Sequence, residues 1–580
     1  MKKSITKAMW ASLVLLCGSF QAQAVKTYNE SGDLVIMQAE SSGRTGSAIV
    51  TSWRFFKGDA AQAETLGFND ADWEKLDLPH TWNAEDGTDG GSNYYRGAGW
   101  YRKKISISEQ DAKDKRIYIE FEGVNEQMKL YINGVLVGSH KGGYTTFRFD
   151  VTDHLKIGAE NLLAIRVSNE DDRTIAPISG DFTFFGGIYR NVSLILTDEV
   201  HIDLLDNGSP GVYLTPKEVS EKSATLRIDT AILNDSSEPK TVSVRFELKH
   251  PDEFEQNELE KKYLAGALRF YPKDMCGGGL VQAEERVVTI KPGQRMKLSE
   301  MFRVAQPRLW NGMTDPYRYQ VNVTVSENEK VVDGVSDYIG FRTFNVEKET
   351  GFYLNGSSYP LRGVCMHQDY GTKANAVSKD NITESFSLLY EIGANTVRLS
   401  HYPHSAYTYE LCDKYGITVY AEIPFVNTYG GNAPSDEWGR PVDQDDNKVS
   451  YENPDDILKG FISITNQQLI EMIKQQYNCS SIFCWGLFNE AQKADHDVMV
   501  PLIAELNALA HKLDPSRLTV MATFSNDGEL LQGDLVGWNT YPKAQELRIR
   551  AETFYNAMTG KPVSKSLDNQ VSHSRHDVAT

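Results

Sequence analysis

The chain has 580 residues, which at roughly 100–200 residues per domain implies three or four domains and excludes a single small module. Apolar residues make up 40% of it, with 28 Tyr, 24 Phe and 9 Trp, enough core-forming material to exclude a disordered or fibrous chain. A formal net charge of -19 repels phosphate backbones, which argues against nucleic acid as a partner.

At the N-terminus, Lys2, Lys3 and Lys7 precede an apolar stretch from Ala11 to Gly18 and then Ala22-Gln23-Ala24. A charged start, a short apolar core and a small-x-small site together read as a secretory signal. Residues 1–24 are expected to be removed by cleavage after Ala24, leaving an exported chain in the periplasm or outside the cell. The apolar stretch is far shorter than the roughly 20 residues that cross a bilayer, and no later stretch is long enough, so no membrane span is predicted. Five cysteines follow Ala24 (Cys276, Cys365, Cys412, Cys479 and Cys484). An odd number without CxxC spacing is neither a disulfide framework nor a zinc site, so buried free thiols are predicted.

From residue 26 to 205 short alternating runs are bounded by turn residues, among them Arg116-Ile-Tyr-Ile-Glu-Phe-Glu-Gly123, Lys129-Leu-Tyr-Ile132 and Asn161-Leu-Leu-Ala-Ile-Arg-Val167. Asn133-Gly134 between two such runs signals a hairpin, and the regular spacing predicts a β-sandwich. Residues 206–345 repeat the style in a second sandwich of immunoglobulin size, with Asn207-Gly-Ser-Pro-Gly211 as its entry linker. After about 346 strands alternate with helices, which predicts parallel α/β structure over 346–580. Candidate strands are 361–366, 396–400, 418–423, 482–488, 519–523, 536–539 and a start at 561–563; candidate helices are 382–392, 457–476 and 499–513. Seven strands in that order suggest an eight-stranded barrel with chemistry at the strand C-termini, and an open doubly wound sheet is the alternative on pattern alone. No glycine-rich phosphate loop follows any strand, so nucleotide binding has no support.

Polar residues gather where these strands end: His367 after the first, Arg398 and His401 on the second, Glu422 on the third, Asn489-Glu490 on the fourth, Asn539 and Tyr541 on the sixth. Carboxyls with His, Asn and Tyr on one rim suit glycoside hydrolysis, in which one carboxyl protonates the leaving oxygen and another attacks or activates water.

These motifs resemble glycoside hydrolase family 2, in the style of its β-galactosidases. Trp485-Gly-Leu-Phe-Asn489-Glu490 is similar to the family's acid/base signature, and Thr396-Val-Arg-Leu-Ser-His-Tyr-Pro403 with Leu411-Cys-Asp-Lys-Tyr-Gly416 to its second barrel strand and helix. Leu361-Arg-Gly-Val-Cys-Met-His367 resembles the first strand, and Trp538-Asn539-Thr-Tyr541 the sixth. Leu78-Pro-His-Thr-Trp82, Gly99-Trp-Tyr-Arg102 and Asp181-Phe-Thr-Phe-Phe-Gly-Gly-Ile-Tyr-Arg190 resemble the family's sugar-binding domain, and Pro307-Arg-Leu-Trp310 with Pro316-Tyr317 the end of its immunoglobulin-like domain. The resemblance implies a jelly-roll β-sandwich, an immunoglobulin-like β-sandwich and a (β/α)8 TIM barrel that is incomplete after about 563. It implies a carbohydrate substrate, a terminal β-D-galactoside cleaved with retention, with β-glucuronides or β-mannosides as the alternatives. Glu490 would be general acid and then base, a role suited to a carboxyl whose pKa is raised in a water-poor pocket. Asn489 would bind the hydroxyl beside the reacting carbon, His367, His401, Arg398, Glu422 and Asn539 would line the site, Tyr541 would approach the nucleophile, and Asp181 would reach in from the first domain. No cofactor is implied. Some members hold magnesium just past the third strand, where this chain reads Phe425-Val426-Asn427-Thr428 with neither carboxylate nor His. A hard cation on oxygen ligands elsewhere stays open. Nothing in the sequence specifies an oligomer.

One departure matters. The family's nucleophile is a Glu soon after Lys-Pro-Val, and this chain reaches Lys561-Pro-Val563 in register but contains no Glu after Glu552. The later carboxylates are Asp568 and Asp577, in a polar tail. A reading-frame break after Val563 accounts for both the register before it and the tail after it. The alternatives are a carbohydrate-binding protein that has lost hydrolysis, or Asp568 as a shorter nucleophile, about an ångström from the required position.

Overall fold

The computed structural model describes residues 43–86, 93–178, 180, 182–251, 256–265, 278–426, 454–491, 496–523 and 528–539, together with a short pairing of Thr27–Tyr28 with Leu34–Val35. The signal-like segment, Cys276 and the candidate strand at 561–563 lie outside the described residues.

The first sandwich packs a four-stranded sheet (Thr45–Ala48, Lys115–Phe121, Phe147–Asp150, Val192–Asp198) on a six-stranded one (Trp53–Lys57, Glu74–Leu76, Ala98–Ser106, Gln127–Ile132, Val135–Lys141, Glu160–Ser168). Alternation places Trp53, Phe55, Ile119, Phe121, Leu130 and Ile165 in one core between the sheets. The predicted hairpin is present: Asn133 and Gly134 both have positive φ (54° and 88°), as a two-residue turn with right-handed twist requires.

The second sandwich faces Val200–Ile202, Val212–Lys217, Ser223–Asn234 and Arg295–Ala305 against Lys240–Lys249, Leu280–Ile290, Tyr319–Glu327 and Lys330–Ile339. Val200–Ile202 already pairs with Ser223–Asn234, so Asn207–Gly211 is a turn inside this sandwich rather than the entry to it. The turn instead rests on the third domain, where Gln475 Nε2 donates to the Asn207 carbonyl at 2.8 Å.

In the third domain six parallel strands lie in sequence order in one sheet. They are β1 (Gly363–Met366), β2 (Thr396–Leu399), β3 (Thr418–Glu422), β4 (Ile482–Asn489), β5 (Leu518–Thr523) and β6 (Leu535–Trp538). Helix α1 (Lys379–Glu391) joins β1 to β2, α2 (Ala406–Tyr415) joins β2 to β3, α3 (Pro454–Gln475) precedes β4, and α4 (His496–Leu513) precedes β5. The consecutive order is that of a barrel wall, which settles the sequence alternative against a doubly wound sheet. The helices bury Phe386, Leu411, Phe461, Met472 and Leu506 against Val397, Val419 and Trp485 of the strands.

Side chains of Trp310, Phe352 and Leu354, from the second sandwich and the hairpin after it, pack on Tyr420, Phe483 and Val520 in a cluster of their own. Cys412 and Cys484 are buried as predicted, but Cys365 on β1 is exposed: among the described residues β1 pairs on one side only, with β2. No helix among the described residues is long and apolar enough to cross a membrane.

The entry to β4 is held by Asp413 of α2, whose carboxylate accepts from the backbone amides of Ser480 (2.9 Å) and Ser481 (2.8 Å), while its main-chain carbonyl accepts from Trp310 Nε1 of the second sandwich (3.0 Å). Asp413→Ala leaves two buried amides without partners. It is expected to cost about 2–4 kcal/mol, read as a lower melting temperature of the barrel transition. A shift below 1 °C would remove Asp413 from this role.

Candidate active site

The C-terminal ends of β2, β3, β4 and β6 converge on one charged cluster. Arg398 of β2 donates from Nε and Nη2 to Glu422 Oε2 of β3 at 3.1 and 2.9 Å, and Nη2 also reaches Glu422 Oε1 at 3.2 Å. His401 Nδ1 meets the same Oε1 at 2.5 Å. Both oxygens of Glu422 are therefore occupied, and the residue is fully buried. Burial alone would raise its pKa, but Arg398 and then His401 outweigh it and hold the carboxyl below its ordinary 4.5. Gly486 of β4 makes room for this group, because a Cβ there would lie 2.3 Å from Glu422 Cβ and 2.6 Å from the Tyr420 ring.

Arg398 extends the network sideways. Its Nη2 donates to Asn489 Oδ1 at 2.8 Å and its Nη1 to Asn539 Oδ1 at 3.2 Å. Asn539 Nδ2 in turn donates to Asn489 Oδ1 at 2.9 Å and to Glu490 Oε1 at 2.7 Å. Two donors on Asn489 Oδ1 fix that amide's orientation and leave Nδ2 as its donor end. Glu490 follows β4 with φ +59°, a left-handed conformation that costs a non-glycine residue roughly 1–2 kcal/mol. Its amide bond to the Ala522 carbonyl of β5 (2.8 Å) holds it there, and such strain is typical of functional positions.

A second wall comes from aromatic residues. His367, just past β1, bonds Tyr402 OH through Nδ1 at 2.9 Å, and its ring lies 5.4 Å from that of His401. Phe182, on a loop of the first sandwich, packs on His367 (5.2 Å), Tyr402 (5.6 Å) and His401 (6.1 Å). The same loop places Ala176 in the barrel core and packs Ile178 against it. Behind Tyr402, burial pulls the pKa of His404 down to about 3, so its ring is neutral.

The cluster thus unites Arg398, His401, Glu422, Asn489, Glu490 and Asn539, and places His367 beside it. Asp181 and Tyr541 lie outside the described residues. Phe182, Tyr402 and Tyr144, which stacks on Tyr402, are not singled out by the sequence reading. Phe182 follows Asp181 in a motif, whereas nothing local marks an aromatic residue that will touch another domain. Of the magnesium stretch, Phe425 and Val426 are buried side chains without ligand atoms, and no group of three or more His, Cys, Asp or Glu placed to hold a metal occurs among the described residues.

Three family models match in series: the family 2 glycosyl hydrolase sugar-binding domain over residues 86–198, a further family 2 domain over 200–342, and the family 2 TIM-barrel domain over 344–566. The chain belongs to glycosyl hydrolase family 2. A β-glucuronidase of Bacteroides fragilis is 37% identical over 491 residues, covering 84% of this chain and 62% of that protein. A β-galactosidase of Bacteroides ovatus is 31% identical over 498 residues, covering 84% of this chain and 50% of that protein. The crystal structure of a Bacteroides uniformis β-glucuronidase superposes with a TM-score of 0.75 at 31% identity, covering 89% of this chain and 58% of that one. The chain thus spans between half and two thirds of the length of these family 2 relatives.

Glu422→Gln leaves the buried Arg398 guanidinium without its counter-charge, for an expected loss of about 3–5 kcal/mol. Because the folded pKa of Glu422 is depressed, the stability it contributes is fully present above pH 4.5 and is lost as the pH falls through the lower folded value. Melting curves between pH 3 and 7 are expected to show that acid loss in the wild type and a flatter profile in the variant. Parallel profiles would count against the assignment.

Proposed function

We propose that this chain carries the glycone-binding and acid/base side of a β-glycosidase site, and that the glycone is a terminal β-D-glucuronide. The observation behind the reaction class is the Asn489–Glu490 pair, with one Glu490 oxygen held by Asn539 and the Asn489 amide fixed by Arg398. In this reading Glu490 protonates the leaving oxygen and then takes a proton from water, and Asn489 Nδ2 donates to the hydroxyl next to the reacting carbon. His367, His401 and Phe182 form the wall beside the sugar, and Arg398 and Glu422 set the floor; the family resemblance is the support for adding Asp181 and Tyr541 as sugar-contacting residues.

Glucuronide, in place of the galactoside expected from sequence, is supported by the B. fragilis and B. uniformis relatives, both β-glucuronidases. A galactoside is the second reading, supported by the B. ovatus β-galactosidase.

A retaining reaction needs a second carboxylate about 5–5.5 Å from the first. Glu422 is unsuited to that part because Arg398 and His401 take both its oxygens. The chain is expected to bind p-nitrophenyl β-D-glucuronide, measured by titration calorimetry. Glu490→Gln is expected to keep that affinity within about threefold, since the acid acts on the barrier rather than the ground state. Tighter binding of the galactoside would reverse the sugar assignment, and binding of neither would end the reading. We further propose export, on the pattern around Lys2, Ala11–Gly18 and Ala22-Gln23-Ala24; N-terminal sequencing of the exported protein should begin at Val25, and an intact Met1 there would refute it.

A further inference from the structure

Arg190 closes the sandwich segment that begins near Phe182, and it is buried at the boundary with the barrel. Its Nη1 donates to the Glu122 and Tyr144 carbonyls of its own domain at 3.2 and 2.9 Å. Its Nη2 donates across the boundary, to Gln368 Oε1 at 2.8 Å and to the Pro403 carbonyl at 2.9 Å. Gln368 is the residue after His367, and Pro403 stands two residues after His401. One rigid guanidinium fork therefore ties the sandwich to both loops that carry the site's histidines.

The contact is reinforced by rings. Tyr144, whose carbonyl Arg190 holds, stacks face to face on Tyr402 at 4.3 Å and 4°, and Tyr402 OH bonds His367. A glycone site requires its side chains to be held with sub-ångström precision, and these contacts act on the residues next to both histidines.

We propose that Arg190 is a positioning residue of the glycone site, through which the first sandwich sets the places of His367 and His401. This rests on the site reading given above. Lys at this position keeps the charge but lacks the planar fork, so it cannot hold Gln368, Pro403 and the two sandwich carbonyls at once.

The test uses the full chain, with Arg190→Lys, Arg190→Ala, Gln368→Ala and the double variant Arg190→Lys with Gln368→Ala. Hydrogen exchange is expected to rise at least tenfold in Arg190→Lys over residues 366–370 and 400–404, with strands Ala98–Ser106 and Glu160–Ser168 unchanged. Affinity for p-nitrophenyl β-D-glucuronide, or for the galactoside if that binds better, is expected to fall about ten- to hundredfold, the range for hydrogen bonds to a charged group. The double variant should be no weaker than Arg190→Lys alone, since both changes break one link. Low-millimolar guanidinium should restore part of the affinity of Arg190→Ala, which a general loss of stability would not allow. Unchanged exchange in both segments overturns the proposal, as do fully additive losses. Should Arg190→Lys fail to fold, exchange in Gln368→Ala decides, with increased exchange at 366–370 expected and none overturning it. A wild type that binds neither glycoside overturns the proposed function alone, and the exchange comparison still decides the role of Arg190.

Discussion

The buried pairing of Arg398 with Glu422 is the constraint around which the site is arranged. Two charges withdrawn from water are costly unless each is met by good hydrogen-bonding geometry, and here five side chains from four strands supply it. Glu422 is satisfied by Arg398 and His401, while the remaining donors of Arg398 orient Asn489 and, through Asn539, Glu490. Because a partly satisfied network of this kind is worse than none, the cluster forms as a unit. It also explains a small residue: Gly486 is required where Glu422 and Tyr420 press against β4.

Around that floor the site is assembled by neighbouring domains rather than by the barrel alone. The second sandwich is fastened to the barrel by Asp413 and by the Trp310 cluster. The first sandwich sends in the loop with Ala176, Ile178 and Phe182, and Arg190 fixes the base of that loop to two strand-end loops of the barrel. The consequence is an aromatic wall that belongs partly to one domain and partly to another. In the proposed reading, substrate recognition and domain docking share these contacts.

The chemistry is divided unevenly across the described residues. Glu490 is strained and anchored, and the Asn489 amide is fixed before any ligand arrives, so the proposed acid/base role would leave little reorganisation to the reaction itself. Glu422, which sequence spacing alone would allow as a second catalytic carboxyl, is instead consumed by ion pairing. Glu422 is thereby a carboxylate that holds others in place.

Much of this was legible in the sequence. Period-2 alternation with Asn133-Gly134 gave the first sandwich, and five of the six barrel strands fall where apolar runs end in His, Arg, Glu and Asn, because a barrel strand buried on both faces must be apolar until it reaches the rim. The resemblance of Trp485 to Glu490 and of Thr396 to Pro403 identified the family, and three family models agree. Tertiary structure decided the rest. That Asn207–Gly211 is a turn within a sandwich, that Glu422 is neutralised by two partners, and that Phe182, Tyr144 and Arg190 reach the barrel all depend on residues far apart in the chain. Local sequence determines which residues alternate, turn or cap, since those preferences act within a few positions. Which charge meets which, and which ring covers which, is fixed only when distant segments are packed together.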